Sequence, residues 1–375
     1  MPDTVMPDAE PTPPHAGVVL ITGASSGIGL CSAALFAARG WRVGLVARSR
    51  PGLDAAARLI GERTPGAATC VAIADVADGA ALADAARAVA AALGSIDAWV
   101  NAAGNGVYGR FTEVPEAEFR RVTEVTYGGT VNGTRVALQH MAPRNRGAIV
   151  NVCSAVVVSG VPLMTSYCGA KAAVRCFGQS LTQELRIAGS RVRVATLIPP
   201  AINTPFFDNA PSHMGFPARP VPPVYRTEVA ARGVYAAATG AGGELLLTGV
   251  ISTYSILARV SPRLAAFLVS LSDFASELPR SGEDGRDHVP TLFGTRERGH
   301  SMHGPFGARA RDRSWQEAAR SAARGAMGTL RRRFSTAATP PDRARARAGA
   351  RFPATPGTEA PGRTAADSAR PDAAA

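Results

Sequence analysis

Val18-Val19-Leu20-Ile21-Thr22-Gly23-Ala24-Ser25-Ser26-Gly27-Ile28-Gly29 is the stretch whose reading decides the fold. The four leading apolar residues form a short β-type run. Three glycines follow at positions 23, 27 and 29, and a helical pattern of Leu30, Ala34, Leu35 and Ala38 then runs to Gly40. Strand, glycine turn and helix in that order make a unit that cradles a dinucleotide. The glycines allow a tight turn and close backbone approach, and the helix N-terminus faces the phosphates. Thr22, Gly23, Ser25, Ser26, Gly27, Ile28 and Gly29 are therefore expected around a cofactor.

Outward from this unit, strands and helices alternate. Trp41–Val46 reads as a second strand running into Arg48, with no carboxylate before Asp54. An acidic residue at that strand end would favour NAD, whereas an arginine can pair with a 2′-phosphate, so the expected cofactor is NADP (NADPH) rather than NAD. A third strand over 69–74 ends in Asp75-Val76, an Ala-rich helix covers 80–93, and a fourth strand over 98–100 meets Asn101-Ala102-Ala103-Gly104. Such alternation argues for a parallel sheet covered on both faces. Residues 116–140 read as one long helix in which Gly128, Gly129 and Gly133 imply close packing, since glycine otherwise weakens a helix. The fifth strand, 148–152, carries Cys153-Ser154 at its carboxyl end, where open α/β sheets place ligands.

Thr165-Ser166-Tyr167-Cys168-Gly169-Ala170-Lys171 follows. Lys171 is the only lysine among 41 basic residues and stands one helical turn after a tyrosine. An ammonium is a compact point charge with an adjustable pKa, unlike the forked guanidinium. Beside a phenol it is expected to lower the tyrosine pKa. Ser166 is the expected N-cap of a helix running to 188. A sixth strand over 191–198 ends in Pro199-Pro200, which cannot continue a sheet. Residues 205–225, with Phe206, Phe207, Met214 and Phe216, read as a long substrate loop. A helix over 228–239 and a last strand over 244–248 complete the domain. Ser261-Pro262 starts an amphipathic helix with Leu264, Phe267, Leu268, Leu271 and Phe274 on one side.

As a set, the turn Thr22–Gly29, Asn101–Gly104, Ser154 thirteen residues before Tyr167, and Lys171 resemble the short-chain dehydrogenase/reductase family over roughly 17–250. The resemblance implies a single Rossmann-like, doubly wound α/β domain of three layers. It implies that Tyr167 is the general acid/base, that Lys171 tunes it and holds the nicotinamide ribose, and that Ser154 binds the substrate oxygen. It adds Asp75, Val76, Asn101, Ala102, Gly104 and Thr204 to the cofactor's surroundings. It further implies a carbonyl or alcohol as the small-molecule substrate, and a homodimer or homotetramer built through the helices at 116–140 and 166–188. Two positions depart from the pattern. Thr126 stands where the family often has an asparagine in a proton-relaying water chain, with Asn132 off that helix face. Pro200 stands where a glycine is usual.

The organisation expected is an N-terminal segment 1–16 without order, the oxidoreductase domain 17–250, a helical extension 251–280, and a largely disordered tail 281–375. Within the tail, Ser314-Trp315-Gln316-Glu317 heads a short helix to about 334. The tail holds 17 arginines against 10 acids within a chain of net charge +12. A rival role for it is contact with nucleic acid or an anionic membrane; a second rival is a regulatory NADP-binding protein without turnover. Five cysteines lack metal-type spacing, no basic apolar leader opens the sequence, and no apolar run is long enough to span a bilayer. These point to a reducing, cytoplasmic setting and to no metal.

Overall fold

The computed structural model describes residues 16–271, 290–295 and 300–312. The opening apolar run is β1 (Val18–Thr22), buried throughout. It is followed by α1 (Gly27–Ala38), β2 (Arg42–Ala47), α2 (Arg50–Arg63), β3 (Thr69–Ile73), α3 (Gly79–Leu93) and β4 (Ile96–Asn101). After α4 (Glu116–Thr123) and α5 (Gly129–Met141) come β5 (Gly147–Val152), α6 (Thr165–Ile187) and β6 (Val192–Ile198). A short pair, β7 (Ala201–Ile202) with β8 (Val224–Tyr225), brackets α7 (Phe206–Asn209). Then come α8 (Thr227–Thr239), β9 (Gly243–Leu246), α9 (Gly249–Val260) and α10 (Pro262–Leu271).

Seven strands form one parallel sheet in the order β3-β2-β1-β4-β5-β6-β9. Its central strands are apolar without alternation because helices cover both faces. One core joins α1, α2 and α8 to the sheet through Phe36, Leu53, Val150, Leu197 and Val234. The other joins α3 and α5 through Leu82, Trp99, Met141 and Ile149. The strand order reverses between β1 and β4, and the crevice at the carboxyl ends of the strands lies there.

The long helix over 116–140 is continuous in path but breaks register. Glu124–Gly128 form a π turn between α4 and α5, a feature that clusters at functional positions. Two of the three glycines are in close contact as expected. A Cβ at Gly133 would collide with Asn101 Oδ1, and one at Gly129 with Val76; Gly128 meets nothing closer than 3.8 Å. Ser166 is not the N-cap: α6 begins at Thr165, two residues earlier than that cap would give, Met164 is its N-cap, and the Ser166 hydroxyl lies buried inside the first turn. The loop over 205–225 is partly regular, through α7 and the β7–β8 pair. A further helix, α9, precedes the amphipathic one, and α10 exposes Leu264, Phe267 and Leu268.

Residues 290–295 and 300–312 depart from the disorder expected beyond Arg280. Leu292 and Met302 are each 3% exposed, and Arg311 joins β8 through hydrogen bonds from its N–H to Val224 O and from Arg226 N–H to its carbonyl. Isolated apolar residues anchor a segment whose overall composition is polar and glycine-rich. The disorder expected of residues 1–15, the place of Phe274 and the helix expected over 314–334 lie outside the described residues. Among the described residues no helix is long and apolar enough to cross a membrane, and no His/Cys/Asp/Glu group could hold a metal.

Candidate active site

A cavity of about 590 Å³ opens at the carboxyl ends of the strands. Gly23 and Ser25 to Gly29 line one end, and Arg48, Asp75 and Val76 form a corner beside it. Ala102 and Gly104 lie along the floor, with Ser154, Tyr167, Lys171 and Thr204 beyond. Two expected contacts do not reach the cavity. Thr22 Oγ1 donates to Val100 O and accepts from Ala102 and Ala103 N–H, stapling β1 to β4. Asn101 is buried behind the wall, accepting from Trp99 Nε1 and donating to Thr134 Oγ1 and Asn151 Oδ1. Both hold the cavity's frame.

Ser154 follows β5 and caps a single 3-10 turn, its hydroxyl accepting from Val156 N–H. Tyr167 and Lys171 enter from the first turns of α6. Lys171 Nζ donates to Val152 O at 2.7 Å and sits 5.7 Å from the centre of the Tyr167 ring. Lys171 is 5% exposed, and burial lowers its pKa. Burial pushes the Tyr167 phenol up, and the Ser154 hydroxyl, hydrogen-bonded to it, pulls the other way. The expected net lowering by Lys171 is therefore not what the protein alone shows: removing the phenol from water outweighs the Ser154 hydrogen bond, and the neighbouring Cys153 and Cys168 push the same way as burial. Tyr167 is only partly buried and lines the cavity. Phe206 leans on Tyr167 with ring centres 5.2 Å apart, and Tyr108, Met164 and Phe207 extend the apolar surface.

Thr126 lies in the π turn, fully buried. Its hydroxyl donates to Asn105 O at 3.1 Å and accepts from Asn105 N–H at 3.3 Å. Thr126 Oγ1 and Lys171 Nζ flank the same face of Gly104. Asn132 is indeed elsewhere, donating to Val76 and Ala77 carbonyls. Asn105 was not anticipated. It lines the cavity, and both polar atoms of its amide are shielded with no hydrogen-bond partner among the described residues. Such a group is satisfied by a ligand or water reaching it. Its place directly after Gly104 in the Asn101–Gly104 motif was the available signal.

The corner at Arg48 is more crowded than expected. Its Nη2 donates to Thr291 O at 2.6 Å and its Nη1 to Leu292 O at 3.2 Å. Burial lowers the Arg48 pKa, opposed by the charge of Asp75. For Asp75, burial would raise the pKa, but the Ala77 N–H and the Arg121 guanidinium more than offset it. Arg121 pairs with Asp75 and also donates to Leu292 O. Thr291, Thr295 and His300 join the cavity lining.

A doubly wound parallel sheet with a glycine turn at its switch point and a Ser–Tyr–Lys group over the same cavity defines a dinucleotide-binding oxidoreductase class. Residues 17–215 match the short chain dehydrogenase family, and the chain belongs to it. An uncharacterized oxidoreductase of Bacillus subtilis, YxnA, is 29% identical over 66% of this chain and 69% of its own. Levodione reductase of Leifsonia aquatica is 31% identical over 52% of this chain and 72% of its own. Among solved structures, an alcohol dehydrogenase from Thermococcus sibiricus, complexed with 5-hydroxy-NADP, is 25% identical with a TM-score of 0.54. It spans 61% of this chain and 95% of its own.

Proposed function

We propose that this chain is an NADP-dependent reductase or dehydrogenase acting on a ketone or secondary alcohol with an apolar body. The observation that carries the reading is the convergence of Ser154, Tyr167 and Lys171 on the cavity that the glycine turn opens. The residues present fit a dinucleotide. Gly23 and Gly27 hold φ of +68° and +52°, and a Cβ at Gly23 would lie 2.8 Å from the Ala103 backbone. The turn thus lets the backbone pass close to Ala103 and Thr204 with its helix N-terminus turned to the cavity, although Gly27 N–H is held by Ser301 O. Arg48 at the end of β2 supplies the cation for a 2′-phosphate, and the Thermococcus neighbour's NADP derivative supports the same choice over NAD.

A nicotinamide cofactor bound here supplies hydride exchange at its ring. The chain's own residues do the rest. Ser154 hydrogen-bonds the substrate oxygen and orients it. Tyr167 gives a proton to that oxygen in reduction and takes it back in oxidation. Burial alone holds the phenol protonated, and a positive charge beside it would bring its pKa back towards the range useful for proton exchange. Lys171, fixed by Val152 O, places a positive charge beneath the phenol and towards the ribose, while the Asn105 amide offers a donor and an acceptor close by. Tyr108, Phe206 and Phe207 exclude water and favour an apolar substrate. Assembly as a dimer or tetramer through α4–α5 and α6, and a reducing compartment in keeping with five free cysteines, belong to the same proposal.

The test follows loss of NADPH absorbance against a panel of apolar ketones, with NADH in parallel. Turnover with NADPH in preference to NADH is expected. Tight NADPH binding without turnover on any carbonyl would instead favour the regulatory alternative.

A further inference from the structure

The described residues beyond 280 lie outside the family match, yet they touch the cofactor cavity at its adenosine end. Thr291 is the clearest case. Its carbonyl accepts from Arg48 Nη2, and its N–H donates to Asn209 O at 3.0 Å, so one residue bridges the end of β2 and α7 of the substrate loop. Leu292 anchors the bridge in an apolar cluster with Val107, Val122 and Ala170. Further along, the His300 ring lies so close over Gly52 that a Cβ there would collide with it, and its Nε2 is 3.4 Å from Ser49 Oγ. Gly27 N–H, within the glycine turn, donates to Ser301 O at 2.9 Å. Met302 is buried, its carbonyl accepting from Thr227 Oγ1, and Gly304 fits against Asn203 and Thr204 where a Cβ would not.

We propose that residues 290–295 and 300–304 are a built-in outer wall of the dinucleotide site, closing over its adenosine half and slowing release of the cofactor. The inference rests on the reading of this cavity as an NADP(H) site. It walls the cavity more than it fills it: Thr291, Thr295 and His300 line the cavity, which continues past them from Gly23 to Arg48, while Ser301 O holds Gly27 N–H, a donor that a phosphate must share or displace. The two carbonyls on Arg48 are neutral acceptors. They fix the guanidinium in place and leave its charge and remaining N–H groups for a phosphate. The same peptide ties α7 to this corner, so the wall spans the cofactor's adenosine end and the substrate loop together.

Two measurements on the full-length protein test this. In hydrogen exchange, adding NADPH should slow amides within 290–295 and 300–304 at least threefold. In stopped-flow release, chasing bound NADPH with excess NADP, Leu292→Ser should release at least tenfold faster than the wild type, whereas Val260→Ser, at an exposed position away from the cavity, should release at the wild-type rate. Release unchanged or slower in Leu292→Ser, or faster exchange in these segments on adding NADPH, overturns the proposal and makes the segment a bystander or a plug. Should Leu292→Ser fail to fold, the exchange experiment on the wild type decides alone. A wild type that binds no NADPH at all would defeat the functional reading itself, an outcome distinct from NADPH binding that leaves these segments unaffected.

Discussion

The two ends of the cavity are built on different principles. At the catalytic end, Ser154, Tyr167 and Lys171 come from one strand end and the next helix, and local helical spacing alone sets the tyrosine beside the lysine. At the adenosine end, Arg48 is held by carbonyls 243 and 244 residues away in sequence. The first end is set by short-range geometry and lies inside the family match; the second is completed by a segment beyond that match. If the proposed roles hold, chemistry and cofactor retention are separable, and substitutions should move one without the other.

The largest separation is expected for Tyr167→Phe. Removing the phenolic hydroxyl should lower turnover by about a hundredfold or more, as loss of a general acid does. NADPH affinity by fluorescence titration should stay within about twofold. If more than about a tenth of the rate survives, the acid/base assignment is wrong. Lys171→Arg comes next, with at least about a tenfold loss in kcat, since the fork is bulkier than the ammonium that fits against Val152 O in a closed pocket. Retained activity there would show that only the positive charge is needed.

Arg48→Asp should act on the other end. The ratio of kcat/KM for NADPH over NADH should fall by about tenfold or more, because a carboxylate repels the 2′-phosphate. It would also face the Thr291 and Leu292 carbonyls, so cofactor release should quicken. An unchanged ratio with faster release would mean that Arg48 serves the wall alone.

The smallest effect concerns Thr126. A family-based expectation is that asparagine here improves proton resupply. The structure shows the threonine fully buried, with its hydroxyl already used by both backbone groups of Asn105. Thr126→Asn should therefore lower stability by about 1–3 kcal/mol through overpacking, read as a drop in Tm, with a modest fall in kcat. A gain in turnover at unchanged Tm would restore the relay reading.

The glycine turn, the strands and the Tyr167–Lys171 pair were legible because period and spacing act over a few residues. Motif membership was a poorer guide to side-chain direction. Thr22 and Asn101 belong to the expected set, yet their side chains turn inward to frame the cavity, which no linear pattern records. The π turn at Thr126 escaped because a one-residue shift in hydrogen-bond register leaves no mark on apolar periodicity. The wall escaped for a different reason: Leu292 and Met302 are single apolar residues within a Gly-, Pro- and Arg-rich stretch whose average composition predicts no packing.

The reach from Arg48 to Leu292 also sets an order of events during synthesis. The seventh sheet strand ends at Leu246, and the last wall residue is Gly304, roughly 60 residues later. At about 5–20 residues per second, a window of roughly 3–12 s separates completion of the sheet from arrival of the wall. During it the glycine turn and Arg48 are already positioned, while the carbonyls that fix Arg48 have not yet been made. On the proposed reading, a nascent chain is thus able to load its dinucleotide through an open side before residues 290–304 arrive to close it.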